Sequence, residues 1–169
     1  MEQIKSPEQW VLHRLSKFYE NTENIQKLED ILTGKSIISL RIIDWFVTNY
    51  SKKYNCSFMN SKNKHIVIYL SYKSHLKAYS KRMFDPFCRS KRIQFKNLET
   101  TVGQLNFFEW IISDEILDFL EQNRDVVHQD MEKRIQESKE SSKSKRSELS
   151  ISATNTIVKH DFPVKITFD

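Results

Sequence analysis

Apolar positions recur along this chain with two different periods, and the change from one to the other divides it. Val11, Leu15 and Phe18 follow one another at helical spacing behind Ser6-Pro7-Glu8-Gln9. In that opening Ser6 caps, Pro7 takes the first helical position and Gln9 completes a capping box. Ile25, Leu28, Ile31 and Leu32 predict a second helix over Glu23 to Leu32, closed by Thr33-Gly34. Ile38, Ile42, Trp45, Phe46 and Tyr50 predict a third, amphipathic helix over Ser39 to Lys52, with a strand at its start as the alternative its Ile and Val content allows.

The period then shortens. Cys56 to Met59 and Ile66 to Leu70 are short apolar or β-branched runs on either side of Asn60-Ser61-Lys62-Asn63, which predicts a hairpin. Ser74 to Ser80 allows a helical turn, and Pro86 forces a break at Asp85. Arg92 to Lys96 alternates as a strand does. Thr101 with Gln104 makes a second capping box, and behind it Val102, Leu105, Phe108 and Ile112 share a helical face. Ser113-Asp114-Glu115 breaks that helix, and Ile116, Leu117, Phe119 and Leu120 start another. A polar helix over Asp125 to about Ser138 follows. The expected fold class is α+β, a helical scaffold with a small antiparallel sheet.

At 169 residues the chain suffices for one ordinary domain with a proper core. The expected organisation is a single α+β domain over residues 1–136, a polar linker over 137–155 and a C-terminal strand over 156–169. Ser, Lys and Glu dominate Glu137 to Ser150, which reads as a linker or a solvated helix end, while Val164 to Phe168 alternates.

Composition narrows the chemistry. Only two Gly and three Pro occur, too few for a Gly-rich phosphate-cradling loop. Cys56 and Cys88 are the two cysteines, which is neither a disulfide framework nor a zinc site. His13, His65, His75, His128 and His160 are scattered, with no pair at metal-binding spacing. A nucleophilic Cys88 beside Arg89, paired with His75, is conceivable, but the ordinary alternative is a thiol packed near the core. No apolar run follows the first charges as in a signal peptide, and no stretch reaches the roughly 20 apolar residues of a membrane span. No cofactor, metal or catalytic residue is expected.

Charge changes the picture more. The net charge is +5, but Trp45 to Leu98 holds twelve Lys or Arg against one acid, Asp85, so that segment carries +11 and the rest −6. Its densest part runs through Lys73, Lys77, Lys81, Arg82, Arg89, Lys91 and Arg92. These seven are the candidate contact residues for nucleic acid or an acidic partner. Lys73, Lys77 and Lys81 step by four, the spacing of one helix face, where like charges repel unless an anion offsets them. Tyr69, Tyr72, Tyr79, Phe84 and Phe87 interleave with them, either as core or as rings on which bases stack. The helix pair around Ser113-Asp114 has helix-turn-helix spacing, but its second helix carries Asp114, Glu115, Asp118 and Glu121 and would meet phosphate repulsion.

Several strings together resemble a small-protein family of nucleocytoplasmic large DNA viruses. They are Ser39-Leu40-Arg41-Ile42-Ile43-Asp44-Trp45-Phe46-Val47-Thr48-Asn49-Tyr50, Tyr69-Leu70-Ser71-Tyr72-Lys73, Leu76-Lys77-Ala78-Tyr79-Ser80-Lys81, Phe84-Asp85-Pro86-Phe87-Cys88-Arg89 and Thr100-Thr101-Val102-Gly103-Gln104-Leu105-Asn106-Phe107-Phe108. The resemblance covers residues 36 to 131. It implies a giant-virus protein, either a minor component of the virion shell, with capsid subunits as partners, or a transcription factor acting on viral DNA. The implied location is the virion and, during assembly, the viral factory in the host cytoplasm. The resemblance carries over no catalytic residues.

Overall fold

A computed structural model describes residues 6–142. The chain divides into two compact units, one reaching His128 and the other beginning at Gln129. The first unit holds helices α1 (Pro7–Phe18), α2 (Thr22–Leu32), α3 (Leu40–Trp45), α4 (Ser51–Lys53), α5 (Ile68–Met83), α6 (Val102–Ser113) and α7 (Ile116–Gln122). It also holds strands β1 (Ser57–Met59), β2 (His65–Val67), β3 (Arg92–Phe95) and β4 (Leu98–Thr101). A last helix runs over residues 124–142. The second unit's described part is the helical run 129–142, so residues 137–142 continue a helix. The expected linker beyond them and the expected C-terminal strand lie outside the described residues.

The fold is α+β. The first helix begins as its sequence dictates: the Ser6 hydroxyl accepts from the Gln9 N–H at 3.2 Å, and Pro7 stands at the first position. Asn21 caps α2 in the same way, and Gly34, at φ +81, follows its end. The third expected helix forms, but not as a regular one. It passes through a π-helical turn, Phe46–Tyr50, before α4. Hydroxyls answer the carbonyls along this irregular stretch: Thr48 donates to Asp44 O and Ser51 to Val47 O, both at 2.7 Å.

Helix α6 is the centre of the unit. From Val102 to Ile112 every residue but Glu109 is buried. The expected single apolar face is therefore too narrow: α1, α2, α5 and α7 all pack against this helix, so it has no solvent side. Tyr19 reaches it from the end of α1 and donates its buried hydroxyl to Leu105 O at 2.7 Å.

The strands form two separate two-stranded antiparallel sheets, β1–β2 and β3–β4, and not one sheet. The expected hairpin around residues 60–63 is present, pairing Ser57 with Val67, Phe58 with Ile66 and Met59 with His65. Its second strand stops earlier than its apolar run. Ile68, Tyr69 and Leu70 begin α5, because from Ile68 onward the inward positions are Ile68, Tyr72, His75 and Tyr79, at three- and four-residue intervals. The strand Leu98–Thr101 was not foreseen. It is joined to β3 by Lys96 and Asn97, at φ +47 and +67, the left-handed pair of a tight hairpin turn.

Candidate binding surface

The site is built around the join between α5 and α6. Two stretches that look unrelated in sequence, residues 82–86 and 100–107, face each other across it. Asn106 donates to Met83 O at 2.8 Å, and Gln104 donates to Pro86 O at 2.8 Å. The Asp85 N–H donates to Gly103 O at 3.3 Å. Thr100 donates its hydroxyl to the Gln104 side-chain oxygen at 2.6 Å, and Thr101 caps α6 by accepting from Gln104 N at 3.0 Å. Phe84 is fully buried against Phe107 and Trp110, with centroids 5.1 and 5.4 Å away. Thr100, Thr101, Gln104 and Asn106 are buried polar residues, and each has a partner, as burial requires. Gln104 and Asn106 thereby pin the end of α5 and the loop that carries Arg89 and Lys91.

All seven expected contact residues, Lys73, Lys77, Lys81, Arg82, Arg89, Lys91 and Arg92, are exposed. They are not equivalent. Arg89 places Nε and an Nη 2.9 Å from the two carboxylate oxygens of Asp85, which is itself buried and also accepts from the Phe87 N–H at 3.3 Å. That bidentate pair ties the loop to itself. Arg92 pairs with Glu99 across the β3–β4 hairpin at 3.3 Å. Lys73, Lys77, Lys81, Arg82 and Lys91 make no ion pair among the described residues.

The expected stripe of Lys73, Lys77 and Lys81 on one helix face is broken. Ser80 sits at φ +64, ψ 168, inside α5, and the helix kinks there. Lys73 and Lys77 share a face. Lys81 and Arg82 lie beyond the kink with Lys91, where the Ser90 hydroxyl donates to Arg82 O at 3.1 Å. A small cavity lined by Glu8, Arg82, Met83, Ser90, Lys91 and Val102 adjoins this second group.

Of the interleaved aromatics only Phe84 is fully buried; Tyr69, Tyr72, Tyr79 and Phe87 are half-buried. Tyr72, His75 and Tyr79 all lie within 6.2 Å of the Phe84 ring, and His75 also gives a ring nitrogen to Ser71 O at 2.8 Å. Phe87 lies under the Arg89 guanidinium, 5.0 Å from centroid to carbon. Tyr72, His75 and Tyr79 are thus engaged by the Phe84 ring and held against it. Nor can α6 serve as the first arm of a helix-turn-helix, since it is enclosed on every side.

Sequence reasoning missed one group beside the cations. Asp44, on α3, is half-buried, and burial pushes its carboxyl above the ordinary range; Arg89 and Lys81 pull it back down while Asp85 pushes it up. Burial, with Asp44 and Asp85, likewise raises the Tyr72 phenol. No sequence signal links positions 44 and 85; only packing does. A further polar knot ties α1 to α6: Arg14 pairs with Glu109 and donates to Asn106 at 2.8 Å and to Tyr79 at 3.4 Å. Among the described residues no group of three or more His, Cys, Asp or Glu is placed to hold a metal ion, and no helix is long and apolar enough to cross a membrane.

Comparison with known proteins places the chain. A family of unknown function, DUF7197, matches residues 1–169. Uncharacterized protein L507 of Acanthamoeba polyphaga mimivirus is 34% identical over 152 residues, covering 82% of this chain. The chain spans 59% of the length of that curated relative. No solved structure matches. The resemblance to a giant-virus family thus stands at the level of the family, and the chain belongs to DUF7197.

Proposed function

We propose that this protein is a non-enzymatic structural component of a giant-virus particle, a minor capsid protein that links neighbouring capsid subunits through its basic surface. One observation carries the reading. Five exposed cations that make no ion pair among the described residues, Lys73, Lys77, Lys81, Arg82 and Lys91, stand on a helix and loop that hydrogen bonds hold in place. A preorganised cationic surface spends little ordering entropy when it meets an acidic neighbour. Under this reading the protein works in the virion and is assembled in the viral factory of the host cytoplasm. Quantitative proteomics of purified virions tests it. Stoichiometric presence is expected, and absence from purified particles removes the reading.

A second reading uses the same residues as a DNA-binding transcription factor. It is favoured by the lysines one turn apart on α5, Lys73 and Lys77, which suit successive phosphates. Contact of Tyr72, His75 and Tyr79 with the Phe84 ring makes phosphate-backbone contact through the lysines the main mode of that reading on α5. A salt titration of binding to a DNA duplex separates the two readings. Steep loss of affinity from low to moderate salt supports the DNA reading, and no salt-dependent binding ends it.

A further inference from the structure

Cations are only half of what the acid-poor segment exposes. Six large apolar side chains are exposed among the described residues, and three of them, Tyr54, Met59 and Leu70, fall within one stretch of seventeen residues. That stretch has Lys62 and Lys64 and no acid. Scattered exposed apolar residues need no explanation, but this concentration beside lysines does.

Strand register and helix period place Met59 and Leu70 on one strip. Residues directly paired across two strands share a face. Phe58 and Ile66 form the inward pair: Ile66 is buried, and the Phe58 ring stacks on Phe119 at 4.9 Å and 14°. Met59 and Val67 are therefore on the outer face, Met59 next to the hairpin tip. Val67 is also the N-cap of α5. Leu70, Ser74 and Lys77 follow it at three, seven and ten residues, the stripe of one helix face, and Lys73 flanks that stripe one turn beyond Leu70. The inward face of the helix is taken by Ile68, Tyr72, His75 and Tyr79. The outer strip thus runs from Met59 through Val67 and Leu70 to Lys73 and Lys77. Two acids approach the hairpin tip, and both are engaged: Asp114 with Lys64 at 3.7 Å, and Glu115 with the Ser61 hydroxyl and N–H.

We infer that this strip docks on an anionic lipid bilayer, with Met59, Val67 and Leu70 entering the headgroup–acyl boundary and Lys73 and Lys77 lying against the lipid headgroups. Apolar insertion beside lysine is the recognised combination for peripheral attachment. A DNA backbone offers nothing to Met59 and Leu70. The strip's cations are lysines, point charges suited to a diffuse anionic plane, with none of the arginine forks that favour a fixed carboxylate or phosphate. The inference rests on the proposed contact role only for Lys73 and Lys77; the apolar half is independent of it.

Co-sedimentation of the full chain tests this, with vesicles of phosphatidylcholine alone and of equal parts phosphatidylcholine and phosphatidylserine. Binding to the anionic vesicles only is expected. The double change Met59→Ser, Leu70→Ser should weaken it about tenfold or more, and each of Lys73→Ala and Lys77→Ala roughly fivefold. Met59→Leu should bind like the parent protein, and circular dichroism should show all variants folded, since the changed side chains are exposed. If the double serine variant binds anionic vesicles as tightly as the parent, the attachment is electrostatic alone and the inference fails, while the proposed cationic contact surface stands. Salt-sensitive binding to duplex DNA without vesicle binding overturns it in favour of nucleic acid. Binding to neither overturns the inference and removes the DNA reading too.

Discussion

The Cα of Gly103 lies so close to the backbone of Arg82 that a Cβ on it would stand 3.0 Å from the Arg82 carbonyl oxygen and 3.3 Å from Met83 C and Phe84 N. The neighbours cannot give way easily, because Asn106 and Gln104 hold the same segment at Met83 O and Pro86 O. Gly103→Ala gains helix propensity worth about 1 kcal/mol, but overpacking against pinned backbone costs about 1–3 kcal/mol. The expected net effect is destabilisation, read as a lower urea midpoint at unchanged slope. A midpoint at or above the parent value would show that the loop is not held as described.

Ser80 makes the opposite case. Its φ of +64 with ψ 168 is backbone that only glycine adopts at little cost, and its side chain is exposed. Ser80→Gly should therefore stabilise the protein by about 1 kcal/mol, a gain visible as a higher melting temperature. Ser80→Ala should bring no such gain.

The cations should separate into two groups. Arg89→Ala strips a bidentate partner from buried Asp85 and is expected to cost about 1–3 kcal/mol of stability. Alanine at Lys77, Lys81 or Arg82 should leave stability within about 0.5 kcal/mol of the parent. If the protein binds DNA, each of these three changes should instead reduce the salt slope of binding by about one. Chemical denaturation and binding titrations on the same four variants check both halves.

Asp44 gives a pH dependence with a definite sign. Burial raises its carboxyl in the folded chain, so the folded state keeps the proton where the unfolded state has lost it. The stability contributed by this group is complete below the unfolded carboxylate value, about pH 4. It is lost as pH rises through the raised folded value. Asp44→Asn removes the titration. Between about pH 4 and pH 7, the difference in stability between Asn variant and parent should shift in favour of the variant. A difference that stays flat over that range contradicts the assignment.

Local chemistry made much of the helical scaffold legible. Ser6, Thr101 and the Gly34 turn mark helix ends through capping and left-handed backbone, which depend on residues three or four apart. The hairpin at 60–63 was legible for the same reason. The early end of β2 was not, because Ile66 to Leu70 is apolar under either period, and only packing of Tyr72, His75 and Tyr79 around Phe84 selects the helix. Strand β4 escaped because Lys96-Asn97 is a weak turn signal beside Asn-Gly.

The sequence by itself determined the cationic character of residues 45–98 and the exposure of its seven chosen cations, because so many like charges with one acid cannot be buried. It also carried the five strings on which the resemblance to a giant-virus family rests. Only the tertiary structure decided that two of them, Phe84–Arg89 and Thr100–Phe108, grip each other, that Arg89 and Arg92 are engaged by acids, that Ser80 breaks the lysine stripe, and that Asp44 joins Asp85. The first and last of those join distant positions, and Ser80 is held in a strained backbone by its neighbours. The Arg89–Asp85 and Arg92–Glu99 pairs are only four and seven residues apart, but they form because the loop and hairpin geometry brings them together.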